Sequence, residues 1–158
     1  MKKFRVLFLA LFLFSFGLVM PGCTQEGAEA PEISAGTWYN SDGTTLADNH
    51  DKIVIVEFWA TWCPPCRAII PHLKELHETY KDQGVVLVSL SNEPAATVGD
   101  FVKKAGMNWT IGAESNTAGE YGVRGIPASF IVVEGKIVWN GHPNGVEAKL
   151  KEIIASRN

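Results

Sequence analysis

Cysteine and histidine are both scarce in this chain. Its 158 residues include three cysteines, Cys23, Cys63 and Cys66, and four histidines, His50, His72, His77 and His142. A zinc centre needs about four ligands. The Cys63/Cys66 pair supplies two, Cys23 stands forty residues away, and no histidine spacing completes a knuckle. His72 and His77, five residues apart on one helix, project from different faces. No metal and no organic cofactor is expected. Positive charge is also in short supply, with 14 Lys and Arg against 17 Asp and Glu for a net charge of −3. That acidity gives no basis for nucleic-acid binding. Internal repeats are lacking as well.

The first 22 residues, MKKFRVLFLALFLFSFGLVMPG, place Lys2, Lys3 and Arg5 before an apolar run and small residues, the layout of a secretory signal. An uncleaved transmembrane anchor is the alternative, since the run is nearly long enough to span a bilayer. LVMPGC resembles the lipobox of bacterial lipoproteins, in which the cysteine, here Cys23, is lipidated and becomes the new N-terminus. Met20 and Pro21 depart from the usual residues. Removing 22 of 158 residues leaves 136, and losing three cations and no acid moves the net charge from −3 to −6. The expected organisation is a signal over 1–22, a lipidated cysteine and flexible tether over 23–35, and one domain over 36–158. The compartment is then outside the cytoplasm, where disulfides persist. Lipidation of Cys23 also resolves the odd cysteine count.

GTWYNSDGTTLADNHDK suggests a short hairpin turning at Asp42-Gly43. KIVIVEFWA and VVLVSLS read as strands buried on both faces. Between them a helix runs from Pro64 to about Lys81, with Ile69, Leu73, Leu76 and Tyr80 on one side. A second helix opens at Pro94 and closes at Gly106. ASFIVV and KIVWNG form a hairpin across Glu134-Gly135, and a last helix carries Val146, Leu150, Ile153 and Ile154. Strands joined by helices imply an α/β fold with a central mixed sheet.

Cys63 falls where a buried strand ends and a helix begins. Unpaired N–H groups and the helix dipole there favour a thiolate, the form that attacks disulfides. Pro64 and Pro65 suit the first turn, having no N–H to leave unpaired. Cys66 comes one turn later, within bonding reach. An inert bridge across so small a loop stabilises little, so a dithiol/disulfide cycle fits this pair better.

VEFWATWCPPCRAIIPHL resembles the active-site segment of the thioredoxin superfamily, VRGIPASF its cis-proline segment and EGKIVWNGH its closing hairpin. The nearest pattern is the TlpA/ResA-like group of membrane-tethered thiol–disulfide oxidoreductases. The resemblance implies a thioredoxin-like fold with an N-terminal β-hairpin and a helix and strand inserted before the cis-proline, Pro127. It implies that Pro71 bends the active-site helix. It also implies that Ile126 pairs with an extended substrate segment, that Pro64 and Trp62 border the same surface, and that Glu57 exchanges a proton with Cys66. Trp62 and Arg67 have plainer readings as surface packing and a solvated helix residue, and His142 is read as a surface histidine. The expected protein is a monomer that reduces disulfides of partner proteins, apocytochrome c among the family's substrates. A membrane carrier of the CcdA/DsbD type supplies its electrons.

Three other functions share parts of this pattern. An oxidase runs the same chemistry backwards, and direction depends on potential and partner. A peroxiredoxin-like peroxidase carries Thr-x-x-Cys, whereas Thr61 stands two residues before Cys63. A Sco-like copper module uses CxxxC with a downstream histidine, whereas Cys63 and Cys66 are CxxC.

Overall fold

The computed structural model describes residues 26–157; the expected signal over 1–22 and Cys23 lie outside them. Six strands form one mixed sheet: β1 (Thr37–Tyr39), β2 (Ile53–Phe58), β3 (Val85–Leu90), β4 (Thr110–Ala113), β5 (Ala128–Val133) and β6 (Lys136–Gly141). Their spatial order is β1-β4-β3-β2-β5-β6. The helices are α1 (Pro64–Tyr80), α2 (Ala95–Ala105), α3 (Thr117–Glu120) and α4 (Val146–Arg157). This is the thioredoxin-like α/β architecture that the resemblance implies.

Strand β2 sits between β3, to which it is parallel, and β5, to which it is antiparallel. All six of its residues are buried, which explains its near-continuous apolar sequence. On one face of the sheet Ile53, Ile55, Leu87 and Ile131 pack in a core with Leu73 of α1 and Leu150 of α4. On the other, Val54, Val56, Phe58 and Phe130 pack with Tyr121 and Ile33. Phe58, Tyr121 and Phe130 meet pairwise with ring centroids 4.9–5.8 Å apart, a spacing that suits tilted and edge-to-face rings.

Local chemistry sets the boundaries. Pro64 and Pro65 open α1, and after a 3-10 turn Gly84 at φ 75° leads the chain into β3. Pro71 lies inside α1 and cannot donate to the carbonyl one turn back. Gly106 closes α2 in the left-handed conformation. Glu134 and Gly135, both at positive φ, make the two-residue turn between β5 and β6. The inserted helix and strand are α2 and β4, followed by the single turn of α3.

Two expectations are corrected. The N-terminal hairpin does not form: β1 pairs with β4 instead. At Asn40, φ 63°, the chain leaves the sheet, and its amide donates to the carbonyls of Met107 and Trp109 at 3.0 and 2.7 Å. Farther on, Thr45 and Asp48 cap each other. That local capping favours the observed 3-10 turn at Ala47–Asn49 over a returning strand.

Residues 26–35, expected to be part of a flexible tether, instead pack on the domain. Gly27 N–H donates to the Ile137 carbonyl at 2.7 Å, Ile137 N–H to that of Ala28 at 2.9 Å, and Ala30 N–H to that of Gly135 at 2.7 Å. These bonds cover the outer edge of β6, whose groups would otherwise be unpaired. The Glu32 carboxylate accepts from the N–H groups of Ile33, Leu46 and Ala47. Ile33 is buried, and Tyr121 Oη donates to the Pro31 carbonyl at 2.8 Å.

Candidate active site

Past Phe58 the chain leaves the sheet and turns through Trp59–Cys63 into α1. Trp59 N–H donates to the Leu90 carbonyl at 3.2 Å, tying the start of this corner to β3. Cys63 is the N-cap of α1, with φ −85° and ψ 107°. Its Sγ accepts from the backbone N–H of Cys66 at 3.3 Å. The two cysteines form a disulfide, their Cα atoms 5.3 Å apart. An N-cap sulfur facing a helical N–H is placed where a thiolate gains most from the helix terminus.

The two cysteines do not differ in exposure. Cys63 is 3% and Cys66 2% exposed in the disulfide form. Any reactivity difference therefore rests on the N-cap position, not on access. Trp62 is the contrasting neighbour: at 68% exposed it is the large apolar side chain most open to solvent among the described residues. Pro64 is exposed beside it.

The β2–β5 register pairs Phe58 with Ala128, which brings the residues just before Ala128 beside the redox corner. The Ile126–Pro127 bond is cis. The Ile126 carbonyl oxygen lies 3.9 Å from Cys63 Sγ. Between Trp59, Trp62, Leu90 and Ile126 opens a cavity of about 280 Å³. Trp62 and Ile126 thus border one surface, with Cys63 against the Ile126 carbonyl and the buried Cys66 bonded behind it.

Glu57 is 1% exposed and lies beneath that surface. Its register partners are Ser89 on β3 and Ser129 on β5, so three polar residues cross the sheet in one row. The row shares the face of Ile53 and Ile55, whose core contains Cys66 and Ile69. Burial pushes the Glu57 carboxyl up from its ordinary 4.5 to about 8, against a smaller lowering by a hydrogen bond with Ser89. Ser89 Oγ in turn accepts from Trp109 Nε1 at 2.9 Å. Glu57 Oε1 and Ser129 Oγ are buried with no hydrogen-bond partner among the described residues.

Two residues take plainer roles. The Arg67 guanidinium lies 5.9 Å from the centre of the Phe101 ring, which packs on Trp59. His142 is exposed, and its Nδ1 accepts from Asn144 N–H at 3.3 Å, capping a 3-10 turn. Sequence reasoning missed Ser89, Ser129 and Glu93, whose carboxylate bonds to Thr61. Only a register or a fold shows such partners.

Residues 19–140 match the AhpC/TSA family. The chain is 33% identical over 110 residues to the thiol-disulfide oxidoreductase ResA of Halalkalibacterium halodurans, a match covering 68% of this chain and 62% of that protein. It is 31% identical over 157 residues to the ResA of Bacillus thuringiensis, covering 87% and 88%. Among solved structures, a thiol:disulfide interchange protein of the thioredoxin family from Chlorobium tepidum superposes with a TM-score of 0.69. That pair is 25% identical and covers 82% of this chain and 98% of the other.

Proposed function

From the premise that the chain belongs to the AhpC/TSA family, as a thioredoxin-like thiol–disulfide oxidoreductase, we propose that it reduces disulfides of partner proteins outside the cytoplasm. The observation that carries this reading is the Cys63–Cys66 disulfide at the start of α1, with Cys63 as N-cap.

In the proposed cycle the Cys63 thiolate attacks one sulfur of a substrate disulfide. The other substrate sulfur leaves as a thiolate, and a mixed disulfide forms. Cys66 then loses its proton and attacks Cys63 Sγ, which expels the second substrate thiolate. Two electrons have passed to the substrate, and the enzyme holds the Cys63–Cys66 disulfide. A dithiol carrier must reduce it again, and a membrane protein of the CcdA/DsbD type fits that role. In this reading Trp62 and Pro64 border the docking surface, and the Ile126 backbone pairs with an extended substrate segment beside Pro127. Apocytochrome c is a substrate of this kind.

A direct test supplies the reduced full chain with a protein disulfide or with hydrogen peroxide. Protein disulfide should be reduced much the faster, and preferential consumption of peroxide would assign a peroxidase instead. Direction is read by equilibration with glutathione. A reductase should poise below about −200 mV, whereas a value near about −120 mV would mark an oxidase.

We further propose that Cys23 carries the lipid that holds the protein at the membrane. Among the described residues no helix is long and apolar enough to cross a bilayer. The wild-type protein should partition with membranes, because a single acyl chain binds weakly and several hold stably, and Cys23→Ser should block lipidation and signal processing. Unchanged processing of Cys23→Ser would point to an ordinary signal or an uncleaved helix.

A further inference from the structure

Glu93 follows β3 in the loop leading to α2, thirty residues beyond Cys63 in the chain. Its half-buried carboxylate nevertheless reaches the redox corner. Oε2 accepts from Thr61 N–H at 2.7 Å, Oε1 from the Thr61 hydroxyl at 2.6 Å, and Oε2 also from the Ser91 hydroxyl at 3.0 Å. Thr61 stands two residues before Cys63, with exposed Trp62 between them. The N–H and the hydroxyl of Thr61 are therefore both bound to one carboxylate, a two-point attachment that fixes orientation as well as position.

The other end of Glu93 is equally well held. Its own N–H donates to Ser91 Oγ, and its carbonyl accepts from Glu114 N–H at 3.0 Å. Ser91 N–H donates to the Gly112 carbonyl, and Ser115 N–H to that of Ser91. The loop is thus stitched to β4 and to the residues after it. A chain of contacts runs from the inserted strand through Glu93 to the corner that carries the sulfurs.

We propose that Glu93 is a positioning residue for Cys63: braced by β4, it clamps Thr61 so that the Trp62–Cys63 corner holds its attacking geometry when the disulfide is open. The proposal rests on the reading of Cys63 as the attacking thiol. A clamp matters most in the dithiol form, where the Cys63–Cys66 bond no longer restrains the corner. Small losses of alignment cost rate steeply when reacting atoms must meet in line.

The clamp has an electrostatic consequence that separates it from plain structural support. A fixed negative charge close to the corner opposes formation of the Cys63 thiolate. Glu93→Gln removes the charge and can keep the clamp. The amide oxygen accepts from Thr61 N–H and the Ser91 hydroxyl, and the amide nitrogen donates to Thr61 Oγ1. Glu93→Ala removes both. The other ionisable groups around the corner, Glu57, Arg67, Glu114 and Arg124, are unchanged in each variant.

The experiment uses the reduced full chain and two readouts: alkylation by iodoacetamide as a function of pH, with the labelled cysteine identified by mass, and the rate of attack on glutathione disulfide. Glu93→Ala should attack about tenfold more slowly, while Glu93→Gln should stay within about threefold of wild type. The alkylation midpoint of Glu93→Gln should move to lower pH, raising the thiolate fraction below the midpoint about threefold. If Glu93→Ala does not fold, Thr61→Val, which deletes only the hydroxyl arm, should slow attack several-fold in its place. An unslowed Glu93→Ala or Thr61→Val, or a Glu93→Gln midpoint that stays or rises, overturns the proposal while Cys63 is still labelled first. First labelling of Cys66 in wild type overturns instead the assignment of Cys63 on which the proposal stands.

Discussion

Cys66→Ser should stop turnover and leave Cys63 bonded to the substrate. The first step needs only the Cys63 thiolate and a disulfide to attack. The groups that favour that thiolate survive the substitution, because the 3.3 Å contact to Cys63 Sγ comes from the backbone N–H of residue 66, not from its side chain. The second step fails, since a serine hydroxyl at neutral pH is a far weaker nucleophile than a thiolate and makes no disulfide. Loss of multiple turnover on the order of 10³-fold or more is expected, the scale on which covalent catalysis collapses when a participating group is removed. The first attack should change little. Mass analysis of the full chain after exposure to cell extract should find a mixed disulfide at Cys63, and it should disappear on adding a reductant. Cys63→Ser should trap nothing comparable. Normal turnover by Cys66→Ser, or an adduct on Cys66 of the Cys63→Ser protein in its place, would reverse the roles of the two sulfurs.

The residues that make this prediction possible were legible because their signals are local. The buried runs of β2 and β3, the two prolines that open α1, and the Glu134-Gly135 turn each reveal their structure within a few positions. The cysteine pair is legible for the same reason, since strand end and helix start lie side by side in the chain. What stayed hidden depends on distant partners. The amide of Asn40 ends β1 by bonding carbonyls at Met107 and Trp109, sixty-seven and sixty-nine residues away. Residues 26–35 look like a tether by composition, yet they fill the open edge of β6, and a sequence does not say which edge is open. Glu93 reads as an ordinary loop acid until the fold sets it against Thr61. The buried position of Glu57 followed from its strand alone, but its serine neighbours appear only when β2 is set between β3 and β5.

Glu57→Gln should slow resolution of the mixed disulfide by about 10²-fold or more near pH 8, the usual worth of a general base. For Cys66 to attack, its thiol must lose a proton inside a core where Cys66 is 2% exposed. Glu57 lies on the sheet face that contributes to that core, and its carboxyl is held up to about 8 by burial. A carboxyl in that range can accept a thiol proton at little cost, whereas one near 4.5 is too weak a base. The wild-type resolving rate should therefore rise with pH through about 8, and the glutamine variant should lack that rise. The initial alkylation of Cys63 should be nearly the same in both. Stability supplies an independent check. Below pH 4.5, the ordinary value, Glu57 is protonated in both folded and unfolded chains, and it costs nothing. As pH climbs from 4.5 toward 8, the unfolded chain releases the proton and the folded chain keeps it, so folding stability falls. The loss approaches about 5 kcal/mol above pH 8 and then levels off. Glu57→Gln has no proton to lose. Its denaturation midpoint should match wild type near pH 4 and exceed it increasingly toward pH 9. Parallel stability curves over that range would show that Glu57 ionises as freely in the fold as outside it. Equal resolving rates from pH 6 to 9 would remove it from the mechanism.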